Sequence, residues 1–582
     1  MASVLLIAPI LVLVLMQGGF YPLHTCVVGT VVCVAAVVAW VRSRERGQRL
    51  PIAATLLVLV AVLQLVSAMV AGPTLTTITG AAVWASCAGM GLLAACQTEE
   101  GRSASLRALG WCGVITAVAG AFVMAGVLPL HGGTIGSRLQ FTFQYANVTA
   151  AWYGATFFVC AFSDDRRLPH LACAPFAALF LTESRGALLV VAALCVVACV
   201  VKARAGSKDA VFNILTQVVF GLLGFALTAA IPSFGAAAAI PAVSLASLLL
   251  GPRLQERLNG FNIKRVLILL FVALAVVGVA CLIVFGDRIA SGITSLLERM
   301  AMVRDAITLW LSSPLIGIGP NNWQYRYQAI QTAPYYTTVV HSSLIQLLLD
   351  CGILGLAAFV GACFFGLRGM LRDFAERPAE VCATSLILLH ALIEFDLSFS
   401  SIAFLLAFLL CGPSSPKLRV SGLAAGLAGV AICLPLCVVG AYCSWTSTAI
   451  TQSAATGDYE ACARFVSSSP LAQNDPNAQS RLLESAFNAG DYRKVAQMYG
   501  GLPFAADVDA YRAAMANYYL GDQEAAGKVF VGLLEAQPNN IDFAHGAKEL
   551  VDEYGLPVSV KPKFEELVRA TEERAATCGW EV

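Results

Sequence analysis

Long apolar stretches separated by short polar connections follow one another along most of this chain. Stretches such as 4–16, 25–41, 52–71 and 266–285 approach or reach the roughly 20 residues that cross a hydrocarbon core. About 12–15 such stretches precede residue 444, the last of them at about 420–443. The pattern predicts an all-α, polytopic bundle of transmembrane helices in the cell (plasma or inner) membrane.

Composition supports this class and argues against others. Of the 582 residues, 58% are hydrophobic and 13% are charged, whereas soluble domains carry about 25% charged residues. The net charge of +1 argues against nucleic acid as a partner. Most of the 19 cysteines lie inside apolar stretches without metal-ligand spacing, so we interpret them as small buried hydrophobic residues.

Lysine and arginine residues predict which connections face inward. If the N-terminus is cytoplasmic, the inward connections are rich in Lys and Arg, for example at 42–49, 202–208 and 368–377, and the short outward ones hold almost none. Arg138 and Arg185 are the exceptions on the outward side. A misplaced charge costs about 2.5–3.5 kcal/mol on insertion scales, so such residues are usually paired or functional.

The longest connection, at about 286–341, falls on the outer side in this topology. Apolar residues at helical spacing over 293–310 predict an amphipathic helix at the membrane surface, which the glycines and prolines at 313–320 interrupt. His341 ends the loop where the next apolar stretch begins, so we expect it at the lip of the membrane. Five loop aromatics are typical of either sugar stacking or an interfacial belt: Trp323, Tyr325, Tyr327, Tyr335 and Tyr336.

After the last apolar stretch the sequence becomes polar and rich in alanine. Gly–Asp pairs recur at 457–458, 490–491 and 521–522, spaced 33 and then 31 residues apart. This period indicates a soluble α-helical domain of tetratricopeptide-like repeats over 444–582. An odd number of spans places this domain on the outer face. It either binds a protein partner or serves as a structural cap.

Four segments resemble a known family. They are TESRGA at 182–187, PLIGIGPNN at 314–322, His341 at the head of a span, and HALIEFD at 390–396. In these features the chain is similar to the O-antigen ligase and polymerase superfamily of bacterial membrane glycan-assembly proteins, specifically over 170–365 and more generally over 1–443. Two positions depart from the family pattern and bear on the subfamily: Ser342 stands where Asn is common, and Asp350 stands where Glu is expected.

The resemblance implies a GT-C-like glycosyltransferase fold. It also implies transfer, on the outer face, from a polyprenyl-diphosphate-linked glycan donor to a glycan, lipid or protein acceptor. Arg185, Arg304 and Arg138 are then the candidates for binding the diphosphate, because a guanidinium stays charged and can bind two phosphate oxygens at once. His341 is the candidate catalytic base, because a neutral imidazole can accept a hydroxyl proton near pH 7. Arginines in this role make a metal unnecessary, and no cofactor is implied.

Each candidate has a plainer alternative. Arg185 can pair with Glu183 or cap the end of the preceding helix, and His341 can be a helix N-cap or an interface residue. Arg304 can lie on a solvated face, and Arg138 can be an interfacial anchor. His390 and Glu394 stand one helical turn apart in an apolar stretch, where a mutual hydrogen bond would lower the cost of burying them. They are candidate supporting residues, together with Asn321, Asn322 and Tyr325.

Two other functions stay open. A transporter or flippase for lipid-linked glycans is the main rival, but such proteins usually show duplicated halves with broken helices. This sequence shows no convincing duplication. A membrane scaffold that acts through its repeat domain is the second rival. Within the enzyme class, the sequence does not separate a ligase from a polymerase.

Overall fold

The regular structure in the computed structural model is mainly helical. The structure describes residues 2–43, 48–231, 234–258, 286–333, 335–502, 504 and 506–577. In chain order the helices of the apolar part are α1 (Ala2–Leu15), α2 (Pro22–Arg42), α3 (Ile52–Ala71), α4 (Leu75–Ala94), α5 (Glu99–Met124), α6 (Ala146–Ala161), α7 (Leu168–Leu171), α8 (Cys173–Leu181), α9 (Arg185–Arg204), α10 (Lys208–Ala230), α11 (Phe234–Leu258), α12 (Gly286–Trp310), α13 (Trp323–Ile330), α14 (Ser343–Leu371), α15 (Pro378–His390), α16 (Ser400–Leu410) and α17 (Gly422–Ala455). A small antiparallel hairpin pairs β1 (Thr134–Ile135) with β2 (Arg138–Leu139).

Within the described ranges, nine helices are long and apolar enough to cross a membrane: α2 to α5, α9 to α11, α14 and α17. Four shorter apolar helical segments lie at 5–15, 168–181, 378–390 and 400–410. These helices confirm the predicted all-α, polytopic class. The span predicted at 266–285 lies outside the described residues.

Helix α4 is buried along its length between α2, α3 and α17. Small residues allow this close approach. A Cβ atom added to Gly440 would lie 2.1 Å from the Cβ of Ala82, and one added to Gly29 would lie 2.2 Å from the Oγ of Ser86. Lipid tails are as apolar as the helices, so helix association in a membrane depends on such tight packing. These residues therefore set the spacing of the central helices.

The connections predicted to face inward contact one another at one end of the bundle. We call this the basic end: the connections at 48–51, 95–98, 162–167, 205–207, 372–377 and 411–421. An ion pair at 2.8 Å joins Arg377 to Glu99, and another at 2.7 Å joins Arg107 to Asp164. The backbone N of Ile52 also donates to the carbonyl of Pro416 at 2.8 Å.

The remaining connections meet at the other end. We call this the His341 end: the connections at 16–21, 72–74, 125–145, 182–184, 311–342 and 391–399. Ser401 Oγ donates to the Gly18 carbonyl at 2.8 Å, and Thr142 Oγ1 donates to the Val14 carbonyl at 2.6 Å. For the connections within the described residues, the structure thus gives the two sets that the Lys and Arg pattern predicts, while Arg44, Arg46, Lys264 and Arg265 lie outside those residues.

Arg102 anchors the basic end from inside the bundle, where its side chain is only 2% exposed. It forms an ion pair with Glu380, and its Nη1 and Nη2 atoms donate to the carbonyls of Phe408 and Leu409 at 2.6 and 3.0 Å. These carbonyls belong to the last turn of α16, which has no partner for them within the helix. One guanidinium therefore joins α5, α15 and α16.

Helical pairs follow the bundle: α18 (Tyr459–Ser467), α19 (Pro470–Gln473), α20 (Pro476–Asn488), α21 (Tyr492–Tyr499), α22 (Asp507–Tyr519), α23 (Gln523–Ala536), α24 (Ile541–Tyr554) and α25 (Lys561–Thr577). We call residues 459–577 the helical-pair domain.

The repeated Gly–Asp pairs of the helical-pair domain have a common geometry. Each glycine is left-handed, with φ of 71°, 77° and 79°, and each aspartate accepts from a backbone N three residues later. The pair therefore ends one helix and caps the next.

Helix α17 joins the two parts of the chain. It runs without a break from Gly422 to Ala455, through the predicted boundary at 443/444. Its Ile450 and Ala454 share one buried cluster with Leu75 of α4 and Cys462 of α18. The change of composition at residue 444 thus coincides with a continuous helix that connects the domain to the bundle.

We expect Arg102→Met to destabilise the bundle by about 3–5 kcal/mol, because Glu380 loses a buried partner and α16 loses two donors. Arg107→Met is the matched control. It removes an ion pair whose side chains are 39% and 57% exposed, which contributes about 0–1 kcal/mol. Thermal unfolding of both variants in detergent measures the difference. Equal losses of Tm would show that Arg102 is not an anchor.

A second expectation concerns the Gly–Asp turns. An added Cβ meets nothing within 4 Å at either Gly490 or Gly500, but only Gly490 has a positive φ, of 77°. Gly490→Ala should therefore cost about 1–2 kcal/mol from backbone strain alone, and Gly500→Ala should cost little. Thermal unfolding of the full chain tests this, and similar shifts in the two variants would contradict it.

Candidate active site

His341 lies immediately before α14 at the surface of the His341 end. Ser342 is the N-cap of α14, since its Oγ accepts from the backbone N of Ile345 at 3.4 Å. The next residue, Ser343, donates its backbone N to the carbonyls of Ala391 and Glu394, both at 3.0 Å. The alternative that His341 caps the helix is therefore wrong. Ser342 and Ser343 fix the backbone position of His341, and its imidazole ring is left for other contacts.

The imidazole of His341 faces a carboxylate on one side. Its Nδ1 atom is buried and lies 3.7 Å from Oε2 of Glu394. The ring of Phe395 packs edge-to-face on the imidazole, with centroids 5.0 Å apart. The side chain as a whole is 23% exposed. One edge of the ring is thus held toward Glu394 while another part remains accessible.

Glu394 is buried and receives several donors. Its Oε1 accepts from Asn147 Nδ2 at 2.7 Å and lies 2.6 Å from Arg299 Nη2, while its Oε2 accepts from the Tyr145 hydroxyl at 3.0 Å. The helices α6 and α12 supply Asn147 and Arg299, and Tyr145 directly precedes α6. A buried carboxylate is costly unless it is paired and hydrogen-bonded, and these partners meet that requirement.

The electrostatic setting keeps Glu394 ionised. Burial acts to raise the pKa of Glu394, but His341 and the charge of Arg299 act in the opposite direction and leave the pKa below the ordinary value for glutamate. The carboxylate therefore remains charged at neutral pH, where it can orient the imidazole and stabilise a proton on it.

Arg299 is a site residue that sequence reasoning missed. It lies in α12, where its Nη1 donates to the Ile393 carbonyl at 2.8 Å in addition to its ion pair with Glu394. Its side chain remains 25% exposed. Only its presence among the arginines of the 286–341 loop pointed to it, because nothing in the local pattern relates it to a residue 95 positions later.

Arg138 joins the same network through Asn147. Its Nη2 donates to Asn147 Oδ1 at 2.9 Å, and its Nε donates to the Thr182 carbonyl at 3.0 Å. The hairpin of β1 and β2 holds it in place, and Gly136, with φ of 54°, makes the tight turn. Arg138 therefore connects the hairpin to the segment that precedes Arg185.

Arg185 is the first residue of α9 and is exposed. A Cβ added to the neighbouring Gly186 would lie 2.9 Å from Ile393 Cδ1 and 3.7 Å from the His390 ring. The first turn of α9 therefore packs against the connection that carries Glu394. Ser137 Oγ also donates to Glu183 Oε1 at 2.7 Å, which ties the hairpin to the same turn. The structure thus brings Arg138, Arg185 and His341 to one region.

The same end holds the strained backbone. In the described part of the chain, the non-glycine residues with positive φ are Gln17, Phe141, Gln144, Glu183 and Asn321, and all of them lie in connections of the His341 end. Such conformations cost about 1–3 kcal/mol each and cluster at functional sites. The strain supports placing the site here.

His390 does not pair with Glu394, and that expectation is wrong. Its Nδ1 lies 2.7 Å from Oδ2 of Asp396, and both side chains are buried. The i,i+4 argument assumed a continuous helix, but α15 ends at His390. The chain then turns, so Glu394 faces α6 and α12 and leaves Asp396 to His390.

Arg304 is not brought to this cluster. Five residues of an α-helix subtend about 140°, so Arg304 and Arg299 point to different sides of α12. The Arg304 side chain is exposed. Its neighbour Asp305 is buried and accepts from the backbone N of Thr332 at 2.8 Å and from the Tyr335 hydroxyl at 2.7 Å.

The PLIGIGPNN segment packs against a break in α14. At the break, Gly352 has φ of 67°, and an added Cβ would lie 2.3 Å from the Leu315 backbone. The backbone N of Ile353 donates to the Pro314 carbonyl at 3.0 Å, and that of Ile318 donates to the Leu349 carbonyl at 2.8 Å. Glycine is required because two backbones touch here.

Asn321, Asn322 and Tyr325 belong to this packing. The backbone N of Asn321 donates to Asp350 Oδ1 at 3.2 Å, Asn322 Nδ2 donates to the Ile318 carbonyl at 2.8 Å, and the Tyr325 hydroxyl lies 3.1 Å from Thr76 Oγ1. These contacts shape the loop against α14 and α4. None of them reaches Glu394.

Most loop aromatics are also occupied by packing. Trp323, Tyr327 and Tyr335 are buried and stack in series, with centroids 5.5 and 5.8 Å apart. Tyr336 differs, since 75% of its surface is exposed. Among the five loop aromatics, Tyr336 is therefore the one most available to a sugar ring.

The arrangement combines a proton acceptor with positive charge. Glu394 supports the partly exposed imidazole of His341, and Arg138, Arg185 and Arg299 lie around the same connection. Such a site can deprotonate a hydroxyl group and stabilise an anion that leaves. In the ranges that the structure covers, no three His, Cys, Asp or Glu side chains are grouped as metal ligands would be.

Comparison with protein families supports the resemblance found in the sequence. Residues 170–360 match the model of the family described as O-Antigen ligase. The matched range includes Arg185, Arg299 and His341, whereas Asn147 and Glu394 lie outside it. No curated protein matches the chain. The match supports the O-antigen ligase superfamily and, with it, a role in membrane glycan transfer.

We expect Glu394→Gln to lower glycan transfer roughly 10- to 100-fold, because an amide cannot replace charge-assisted hydrogen bonds worth about 1.5–3 kcal/mol. Glu99→Gln, at the basic end, is the matched control for a Glu paired with Arg. Since the pKa of Glu394 is lowered, the stability that its charge contributes should be complete above about pH 4.3 and be lost only as pH falls through the lowered value.

The stability part of this expectation is measured as the Tm difference between wild type and Glu394→Gln from pH 8 to pH 4. A difference that already shrinks between pH 8 and pH 6 would contradict the lowered pKa. Unchanged transfer in the variant would show that the carboxylate does not support the reaction.

Proposed function

We propose that this protein is a membrane glycosyltransferase that moves a glycan from a polyprenyl-diphosphate carrier to an acceptor on the outer face of the membrane, in the assembly of cell-surface polysaccharide. The observation that carries the proposal is the His341–Glu394 pair beside three arginines at one end of the bundle. The family match over 170–360 supports it independently.

In this reaction His341 takes the proton from an acceptor hydroxyl. The acceptor oxygen forms a bond to the anomeric carbon of the donor glycan as the bond from that carbon to the diphosphate oxygen breaks. The diphosphate keeps the bonding electrons and leaves on its lipid. Glu394 stabilises the protonated imidazole, because its lowered pKa keeps it anionic.

Positive charge stabilises the leaving diphosphate. Arg185 is exposed at the start of α9, and Arg299 and Arg138 belong to the network around Glu394. Guanidinium groups bind two phosphate oxygens at once. We propose that they serve in place of a metal ion, so the transfer is metal-independent. Arg304 stays a weaker candidate, because it lies on another side of α12.

The helical-pair domain lies on the same side of the bundle as His341. The backbone N of Thr76, which follows the 72–74 connection, donates to Asp475 Oδ2 at 2.7 Å. This contact supports the proposal that the tetratricopeptide-like domain is on the outer face. There it is close to a glycan, lipid or protein acceptor.

Two rivals use the same substrate class. A flippase needs a path across the bilayer, whereas the polar groups described above gather at one end. A scaffold needs no reactive side chain, whereas His341 is held by a buried carboxylate. Both observations favour the enzyme.

The test is transfer in vitro with purified protein in nanodiscs, an undecaprenyl-diphosphate-linked oligosaccharide and a series of acceptors, with a metal chelator present. We expect His341→Ala to lose about 10²–10⁴-fold in rate and Arg185→Ala to lose roughly 10- to 100-fold. His131→Ala, an exposed histidine at the same end, and Arg372→Ala, an exposed arginine at the basic end, are the matched controls.

Transfer that survives chelation and is lost in the two site variants supports the roles assigned here. Transfer that stops with chelation would overturn the metal-free mechanism. If folded wild-type protein transfers nothing from its native donor, lipid flipping is measured next, and flipping without transfer would replace the enzyme with the flippase.

A further inference from the structure

The loop between Arg299 and His341 is held by the helical-pair domain. Gln328 Nε2 donates to the two carboxylate oxygens of Asp507, at 3.0 and 3.2 Å. Gln331 and Asn539 exchange two hydrogen bonds: Gln331 Nε2 donates to the Asn539 carbonyl at 3.0 Å, and Asn539 Nδ2 donates to the Gln331 carbonyl at 2.6 Å. The domain therefore contacts α13 and the residue that follows it.

Aromatic packing adds to these hydrogen bonds. Tyr325 stacks on Phe504 with ring centroids 6.2 Å apart, and the guanidinium of Arg326 lies 5.7 Å from the same ring centroid. Contacts of this kind contribute roughly 0.5–1.5 kcal/mol each. Two adjacent residues of α13 thus meet one residue of the domain.

The contacting residues of the domain recur with the repeat. Asp475, Asp507 and Asn539 are spaced by 32 and again 32 residues, and each stands at the start of the first helix of a pair, α20, α22 or α24. A repeat array presents equivalent positions along one edge. Here that edge lies against Thr76, Gln328 and Gln331 of the chain itself.

The loop has little structure of its own to hold it. The described residues of 311–342 contain one helix, the eight residues of α13, and an isolated helix of that length is not stable in water. Connections longer than about 12–15 residues are uncommon unless they are functional or disordered. External contacts must therefore offset the conformational entropy of ordering this loop.

The held segment is in turn connected to the site. Thr332, next to Gln331, donates its backbone N and its hydroxyl to Asp305, both at 2.8 Å. Asp305 lies on α12, six residues after Arg299, which pairs with Glu394. On the other side, the backbone N of Val340, next to His341, donates to Gln346 Oε1 at 3.0 Å. The chain of contacts runs from the domain to Arg299.

We propose that the helical-pair domain is an internal brace: Asp475 seats its edge on Thr76 of α4, and Asp507 and Asn539 fix the 323–335 segment and so position Arg299 and His341. The positioning role rests on the function proposed above, while the bracing itself does not. In this role the domain acts on the rate of transfer, whereas a domain that only recruits the acceptor acts on acceptor binding.

The experiment compares two matched double variants of the full chain in nanodiscs. Gln328→Ala with Asn539→Ala removes the side-chain hydrogen bonds from Gln328 to Asp507 and from Asn539 to the Gln331 carbonyl. Gln523→Ala with Asn488→Ala removes one glutamine and one asparagine hydrogen bond inside the domain and its helix, to the carbonyls of Tyr554 and Ala454 at 3.0 and 3.1 Å. Hydrogen exchange is measured without substrate, and kcat and the acceptor KM are measured for transfer.

We expect hydrogen exchange of amides 323–342 to rise roughly tenfold in the loop-contact variant, as the loss of these hydrogen bonds implies, and to stay unchanged in the control. In the same variant kcat should fall roughly tenfold while the acceptor KM stays within about twofold. The change at Asn539 can loosen the domain itself. The single variant Gln328→Ala avoids this, because Gln328 lies in α13, outside the domain, and its exchange rate then decides the result.

Unchanged exchange of 323–342 would overturn the brace. A rise of the acceptor KM with constant kcat would overturn it in favour of acceptor recruitment. If the wild type transfers no glycan, the proposed function fails, and exchange alone then decides the brace: faster exchange supports it and unchanged exchange refutes it.

Discussion

Burial of one carboxylate, that of Glu394, organises the His341 end. A charged group at a buried position needs partners from every side that would otherwise offer water. Here they come from three distant parts of the chain: Asn147 beside Tyr145, Arg299, and His341. Helix α6, the loop helix α12 and the start of α14 must therefore converge on the 391–395 connection. The same requirement that stabilises the carboxylate assembles the groups suited to chemistry.

The sequence predicts the bundle well, because the bilayer imposes a simple rule. Backbone polar groups in hydrocarbon must be satisfied within the segment, so spans are helices, and their apolar length is visible in the sequence. Lys and Arg residues mark one end because inward connections carry the positive charge, and the 202–208 and 368–377 connections do meet there, where Lys202 Nζ donates to the Ala375 carbonyl at 2.6 Å. The same reasoning predicts that His341 stands where a long polar loop meets a span, and His341 does lie immediately before α14.

The partners of the site were harder to predict, because they depend on where helices end. Spacing alone paired His390 with Glu394, but α15 stops at His390 and the turn that follows separates the two side chains. Arg304 and Arg299 are both arginines of the same loop, and only the helical geometry of α12, which directs them to different sides, distinguishes them. The polar residues of the PLIGIGPNN segment predicted a supporting role in the site. In the structure the backbone N of Asn321 instead donates to Asp350, next to the break in α14.

The His341 end consists of connecting loops, and ordering these loops costs free energy. Helices satisfy their own backbone, but the loops that supply His341, Arg138 and Glu183 must be ordered by outside contacts, and Glu183 is held with φ of 52°. Hydrogen bonds to the 391–397 connection offset this cost for His341. For the 323–335 segment the bundle supplies contacts from α12 and α4, through Asp305 and Thr76. The helical-pair domain, joined to the bundle through the continuous helix α17, supplies the remaining contacts, which gives this membrane protein a reason to carry a repeat domain that contacts its own loop.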